Sequence, residues 1–220
     1  MAQPIVFTKQ LAAANAALIA ASQSPGAGAI TLTTAAGVTV DTATAANSAV
    51  GRRVIITSGG NDLGINFTVN GTGPSGSTIS DTFAGASGAA AQSNLDFVTV
   101  TSITHTGSVA GTLTAGTNGV GSSPWLTLNW HVTSIMNVGI AVELVSGSAG
   151  YTVEYTYDDP NNLLGGALFP LAFSSLSPAA LVGASATKDG AITSPIAAIR
   201  LSIASGTGAL RARILQSGIG

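Results

Sequence analysis

From about residue 28 onward the chain is written as short β-branched runs separated by clusters of Gly, Ser, Asn and Pro. No other feature narrows the fold so far. Runs of this length, punctuated this often, belong to all-β sandwiches or barrels. Ala29–Thr34, Val38–Thr42 and Arg53–Thr57 are the first of them, the last stopped by the turn cluster Ser58–Asp62. Ile65–Asn70 sets Ile65, Phe67 and Val69 against Asn66, Thr68 and Asn70. That period of two gives a strand with one wet face. With Thr78–Ala84 it predicts a β-hairpin across Gly71–Gly76. Phe97–Thr104 and Gly111–Ala115 follow as strands.

Gly116–Pro124 reads as a loop and a module boundary. Beyond it come a strand over Trp125–Trp130, a hairpin of Val138–Val145 with Tyr151–Tyr157, and a last hairpin of Ile196–Ala204 with Ala209–Gln216. Its turn is Ser205–Gly208. The halves share no repeat. The expectation is an all-β protein of two β-sandwich modules, immunoglobulin-like or jelly-roll-like, at 29–120 and 121–220.

Residues 1–28 differ in texture and read as a short N-terminal arm, helical or extended. Ala and Leu are strong helix formers, Thr8 can cap the N-terminus, and Leu11, Leu18 and Ile19 share a helical face. A signal peptide is the alternative, but Asn15 interrupts the apolar run and Met1–Thr8 is not basic.

Composition enters at the surface. Only 7% of residues are charged, against about 25% in ordinary soluble domains. So little charge protects weakly against association, which suits a subunit that hides surface against copies or partners. The net charge of −2 and the lack of a basic run argue against nucleic acid. Arg52-Arg53 is the densest cationic point. No apolar run reaches the roughly 20 residues of a membrane helix. With no cysteine, disulfides and thiolate metal sites are excluded.

No constellation points to catalysis. His105 and His131, the two histidines, lack acidic or histidine neighbours at ligand spacing. The serines form no nucleophile elbow. Asp158-Asp159-Pro160 reads as a turn, with Asn161 and Asn162 leaving weak calcium binding as an alternative. The glycines of Gly116–Gly121 lack the order of a phosphate loop. Trp125 and Trp130 face opposite sides of one strand. One is expected in the core; the other, with Tyr151 or Tyr155, can anchor an interface or stack on a sugar. The expectation is a non-enzyme with no cofactor, no metal and no small-molecule substrate. The interface candidates are Leu11, Leu18, Ile19, Trp130, Arg211 and Arg213. Arg200, Arg211 and Arg213 are expected to face outward, opposite the apolar set Ile199, Leu201, Ile203, Leu210, Ala212 and Ile214.

Several segments carry a resemblance. Ala21–Ala27 with Ala29–Thr33, Arg52–Asp62 with Gly64–Gly71, Thr78–Ala84, Phe97–Thr104 and Gly119–Trp125 run in order. Tyr151–Asp158 and Ile196–Gln216 close the series. Together they resemble structural proteins of tailed-bacteriophage virions. The resemblance implies sandwich modules and a virion location after assembly in the host bacterial cytoplasm. It implies partners among copies of the chain itself and phage capsid or tail proteins. A capsid decoration or cement protein is the leading expectation. A neck, tail or fibre-base protein, or a carbohydrate- or receptor-binding module, is the alternative. No catalytic residue is implied.

Overall fold

A computed structural model describes residues 5–40, 50–129, 137–158, 160, 173–175 and 181–217. The fold is all-β. The chain divides into two compact units, one of residues 12–42 and 49–121, the other of residues 1–11, 43–48 and 122–220.

The chain starts in the second of these with β1, Ile5–Gln10, and passes into the first with β2, Asn15–Gln23. The helix expected here, with Leu11, Leu18 and Ile19 on one face, is replaced by these two strands. Helix propensity is a weak prior that tertiary pairing overrides. β1 pairs antiparallel with the last strand of the chain, and β2 is held by a strand of its own unit.

The unit of residues 12–42 and 49–121 continues with β3 (Gly28–Ala29), β4 (Val38–Thr39), β5 (Gly51–Ser58), β6 (Asn66–Thr72), β7 (Thr78–Ala84), β8 (Ala90–Phe97), β9 (Thr99–His105) and β10 (Leu113–Ser122). β6 and β7 form the expected hairpin in unbroken register, from Asn66↔Ala84 to Thr72↔Thr78. With β9, β3 and β4 they make one sheet; β8, β5, β10 and β2 make the other. Val54 and Ile56 of β5, Ile19 and Ala20 of β2, and Leu113 and Ala115 of β10 share one buried cluster with Phe67, Val69, Phe83, Val100 and Ile103 of the facing sheet. This is a sandwich core: β5, β6 and β10 supply alternate residues, while the irregular registers of β2 and β9 bring in the neighbours Ile19 and Ala20 and the more widely spaced Val100 and Ile103.

Gly116–Pro124 is not the expected loop, because β10 runs through its first seven residues. The glycine serves close approach rather than a turn. A Cβ on Gly116 would fall 2.0 Å from the Asn15 carbonyl oxygen on β2.

The other unit adds β11 (Leu126–Thr127), β12 (Asn137–Ser146), β13 (Ala149–Thr156), β14 (Phe173–Ser175), β15 (Lys188–Ile192), β16 (Ala198–Gly206) and β17 (Ala209–Ser217). One sheet has the order β1-β17-β12-β15. In the other, β13 lies between β14 and β16.

The two hairpins expected in this half do not form. β12 pairs with β17, from Asn137↔Ser217 to Ser146↔Ala209. β13 pairs with β16, from Ala149↔Gly206 to Thr156↔Ala198. Residues 137–156 and 198–217 are thus two long strands paired along their length and bent together, so that each half lies in a different sheet. Ser146–Gly150 and Ser205–Gly208 are corners, not hairpin turns. At the corner Gly208 N–H donates to the Ser148 carbonyl at 2.8 Å, and Gly147 and Gly206 take φ of 69° and 82°. A Cβ on Gly206 would stand 2.2 Å from the Ser148 oxygen. Only glycine supplies both the conformation and the clearance. Alternation still sorts the side chains as expected: Ile199, Leu201, Ile203, Leu210, Ala212 and Ile214 are all buried.

Candidate functional site

The charged side chains are few, and the sheets consume them. Arg53 lies opposite Asp96 on neighbouring strands and its Nε donates to Oδ1 at 2.6 Å. Arg200 lies opposite Glu154, Nε to Oε2 2.7 Å, with its guanidinium 4.6 Å from the Trp125 ring centroid. Arg200 is therefore on the outward side of its strand, as expected, but covered. Arg52 is fully buried, its Nη1 donating to Ala13 O at 3.3 Å and its Nη2 to Asn118 O. Of the Arg52-Arg53 pair, Arg52 is thereby internal and Arg53 is tied to Asp96.

The third cross-strand pair is different in setting. Arg211 lies opposite Glu143 on the outer face of the β1-β17-β12-β15 sheet. Glu143 Oε2 stands 3.6 Å from Arg211 Nη1 and 2.7 Å from Arg213 Nη1. The three side chains remain 34–45% exposed. The register of β12 against β17 gives both arginines an acidic partner within the chain.

The rest of this face is read from the ladders. One row is Val6, Arg213, Ala141 and Asp189. The next is Thr8, Arg211 and Glu143. A third is Leu215, Gly139 and Ala191. Val145 continues the outward side of β12. Val6 is 52% exposed, Leu215 50% and Val145 42%. These are three of the eight large apolar side chains exposed among the described residues; Ile5, also exposed, shares its row with the buried Ile214 and so lies on the opposite side of β1. The face is thus apolar and small-residued, with positive charge along β17 and negative charge on β12 and β15.

The remaining residues singled out in the sequence fall elsewhere. Leu11 and Ile19 are interior, Ile19 in the sandwich core and Leu11 at the end of β1, and Leu18 is half-buried against that core. Trp130 lies outside the described residues, as do His131, Asp159, Asn161 and Asn162. Tyr151, considered for an interface or sugar platform, is instead 1% exposed. Its hydroxyl donates to Ala186 O at 2.8 Å, and burial raises its pKa above the ordinary 10.0. Tyr157 is exposed and packs edge-on against Tyr155. His105 is buried on β9 and its Nδ1 donates to Gly107 O at 2.7 Å. Asp158 N–H donates to Thr156 Oγ1, as a turn residue does. Among the described residues, no three of His, Cys, Asp and Glu come together as a metal-binding group.

Comparison of the chain with protein-family models, with curated proteins and with solved structures gives no match.

Proposed function

We propose that this protein is a non-enzymatic structural subunit of a multi-copy assembly, the tailed-phage particle being the setting its sequence resembles. A capsid decoration or cement role is the reading adopted. The observation that carries the assembly reading is the exposed outer face of the β1-β17-β12-β15 sheet, where Val6, Val145 and Leu215 stand in water on a chain with 7% charged residues. Val6 and Leu215 are diagonal neighbours on adjacent strands, and Val145 lies beyond the Arg211–Glu143 row of the same face; exposed apolar side chains gathered on one face mark contact surface. The internal pairing of Arg53, Arg200 and Arg211 with carboxylates leaves still less free charge to keep copies apart. Edge strands and flat faces of sandwiches suit such contacts, and small contacts repeated over many copies add up to a stable shell.

The test is co-sedimentation of the full chain with phage heads assembled without it. Saturable binding is expected. Failure to bind heads, with binding to a defined oligosaccharide on a glycan array instead, would replace this reading with a receptor-binding one.

A further inference from the structure

We infer that the outer face of the β1-β17-β12-β15 sheet pairs with the same face of a second copy of this chain, about a two-fold axis running between β17 and β12 and parallel to them. This names the partner for the assembly reading above and rests on it. An isologous contact requires a self-complementary patch, and this face has one. Its positive column, Arg211 and Arg213, lies on β17; its negative residues, Glu143 and Asp189, lie on β12 and β15. Rotation about the stated axis sets each β17 over the partner copy's β12. Arg211 of each copy then faces Glu143 of the other, because the two share a cross-strand row, and the face, with two charges of each sign, carries no net charge.

The shape agrees with the charge. Leu215, 50% exposed, lies in the same cross-strand row as Gly139. The axis therefore brings each Leu215 over the other copy's Gly139. A Cβ built on Gly139 meets no atom closer than Leu215 O at 3.8 Å, so the strand offers a shallow hole where a protruding leucine seats. Val6 of the edge strand comes over Asp189 of the opposite edge, with Ala191 one row further along.

Four strands about 4.8 Å apart and roughly five residues of about 3.4 Å each make a face of roughly 300–350 Å² per copy. Even doubled, that falls in the small, transient class of interface. The pairing is accordingly weak between free copies and is expected between roughly 10 µM and 1 mM.

The test is sedimentation equilibrium of the full chain with variants designed in complementary pairs. Arg211→Glu with Arg213→Glu makes the whole face negative; Glu143→Lys with Asp189→Lys makes it positive. Each double variant alone should self-associate at least about tenfold more weakly than wild type, while an equimolar mixture of the two should form heterodimers. Loss of the intramolecular ion pairs cannot restore association on mixing. Gly139→Thr fills the hole in a strand that accepts a β-branched residue; it should fold as wild type and lose dimerisation. A wild type that stays monomeric up to about 1 mM, a mixture no more associated than its components, or a Gly139→Thr variant that dimerises unchanged would each overturn the pairing. If the dimer forms and follows the variants but the chain does not bind heads, the assembly reading falls and the pairing stands. If the chain binds heads while every form stays monomeric, the pairing falls alone.

Discussion

Replacing Gly206 by alanine tests the bent ribbon more sharply than any core truncation. Gly206 has φ of 82°, a conformation that costs an L-residue roughly 1–2 kcal/mol. The added Cβ would also meet Ser148 O at 2.2 Å, Ser148 C at 2.8 Å and Ala149 Cα at 2.9 Å. All three are backbone atoms of the paired chain at the corner, so no side-chain rotation relieves the clash. Overpacking of this kind costs about 1–3 kcal/mol. The sum is about 2–5 kcal/mol, a large share of the roughly 5–15 kcal/mol that holds a domain folded. At roughly 4–8 °C per kcal/mol, the melting transition of this unit should fall by roughly 8–40 °C in differential scanning calorimetry. Gly206→Asn separates corner from hairpin. Asparagine tolerates the left-handed region, so in an open hairpin turn it would be nearly neutral, whereas at the corner the clash with Ser148 persists. A Gly206→Asn protein within about 0.5 kcal/mol of wild type, the range of an ordinary surface change, would refute the reasoning.

Three further outcomes follow from buried groups. Leu201→Ala, at a position 1% exposed, should cost about 2–5 kcal/mol in urea unfolding, while Arg211→Ala should cost about 0–1 kcal/mol. Tyr151 has its pKa raised from 10.0 by burial, so its contribution is complete below pH 10; above that the unfolded chain ionises first, and stability declines until the folded pKa is passed. Tyr151→Phe should flatten that alkaline decline while lowering stability near neutrality, and equal alkaline slopes in the two proteins would contradict it. Arg52→Met removes donors to the Ala13 and Asn118 carbonyls and should cost at least about 1–3 kcal/mol; an unchanged urea midpoint would show that those contacts contribute nothing.

Alternation was the legible part of this fold. Phe67, Val69, Leu201, Ile203, Leu210 and Ile214 go inward because a period of two needs no knowledge of the partner strand. Partner choice was not legible. Gly147-Ser148 and Gly206–Gly208 carry the residues of hairpin turns, and only the close approach of the two paired backbones at the corner shows why glycine is required there. Gly116 misled in the same way, being a glycine of close approach inside a strand. The alanine-rich stretch around Leu18 and Ile19 followed helix propensity on paper, but its small side chains also suit a strand lying tightly against β10. At the candidate site, the sequence marked Arg211 and Arg213 as outward-facing. Glu143, Gly139 and Leu215 were not singled out, because they join the arginines only through the β12–β17 register. A charge-poor strand with one acidic residue facing a doubly basic strand was the available signal.

The central claim is that this chain is a repeated structural part of a particle. It is tested most directly by quantitative mass spectrometry of virus-sized particles purified from cells that produce the chain. The account predicts the intact chain at a stoichiometry of many copies per particle, in fixed ratio to the shell protein. Its absence from purified particles, with recovery only in the soluble lysate of the same cells, would contradict the account.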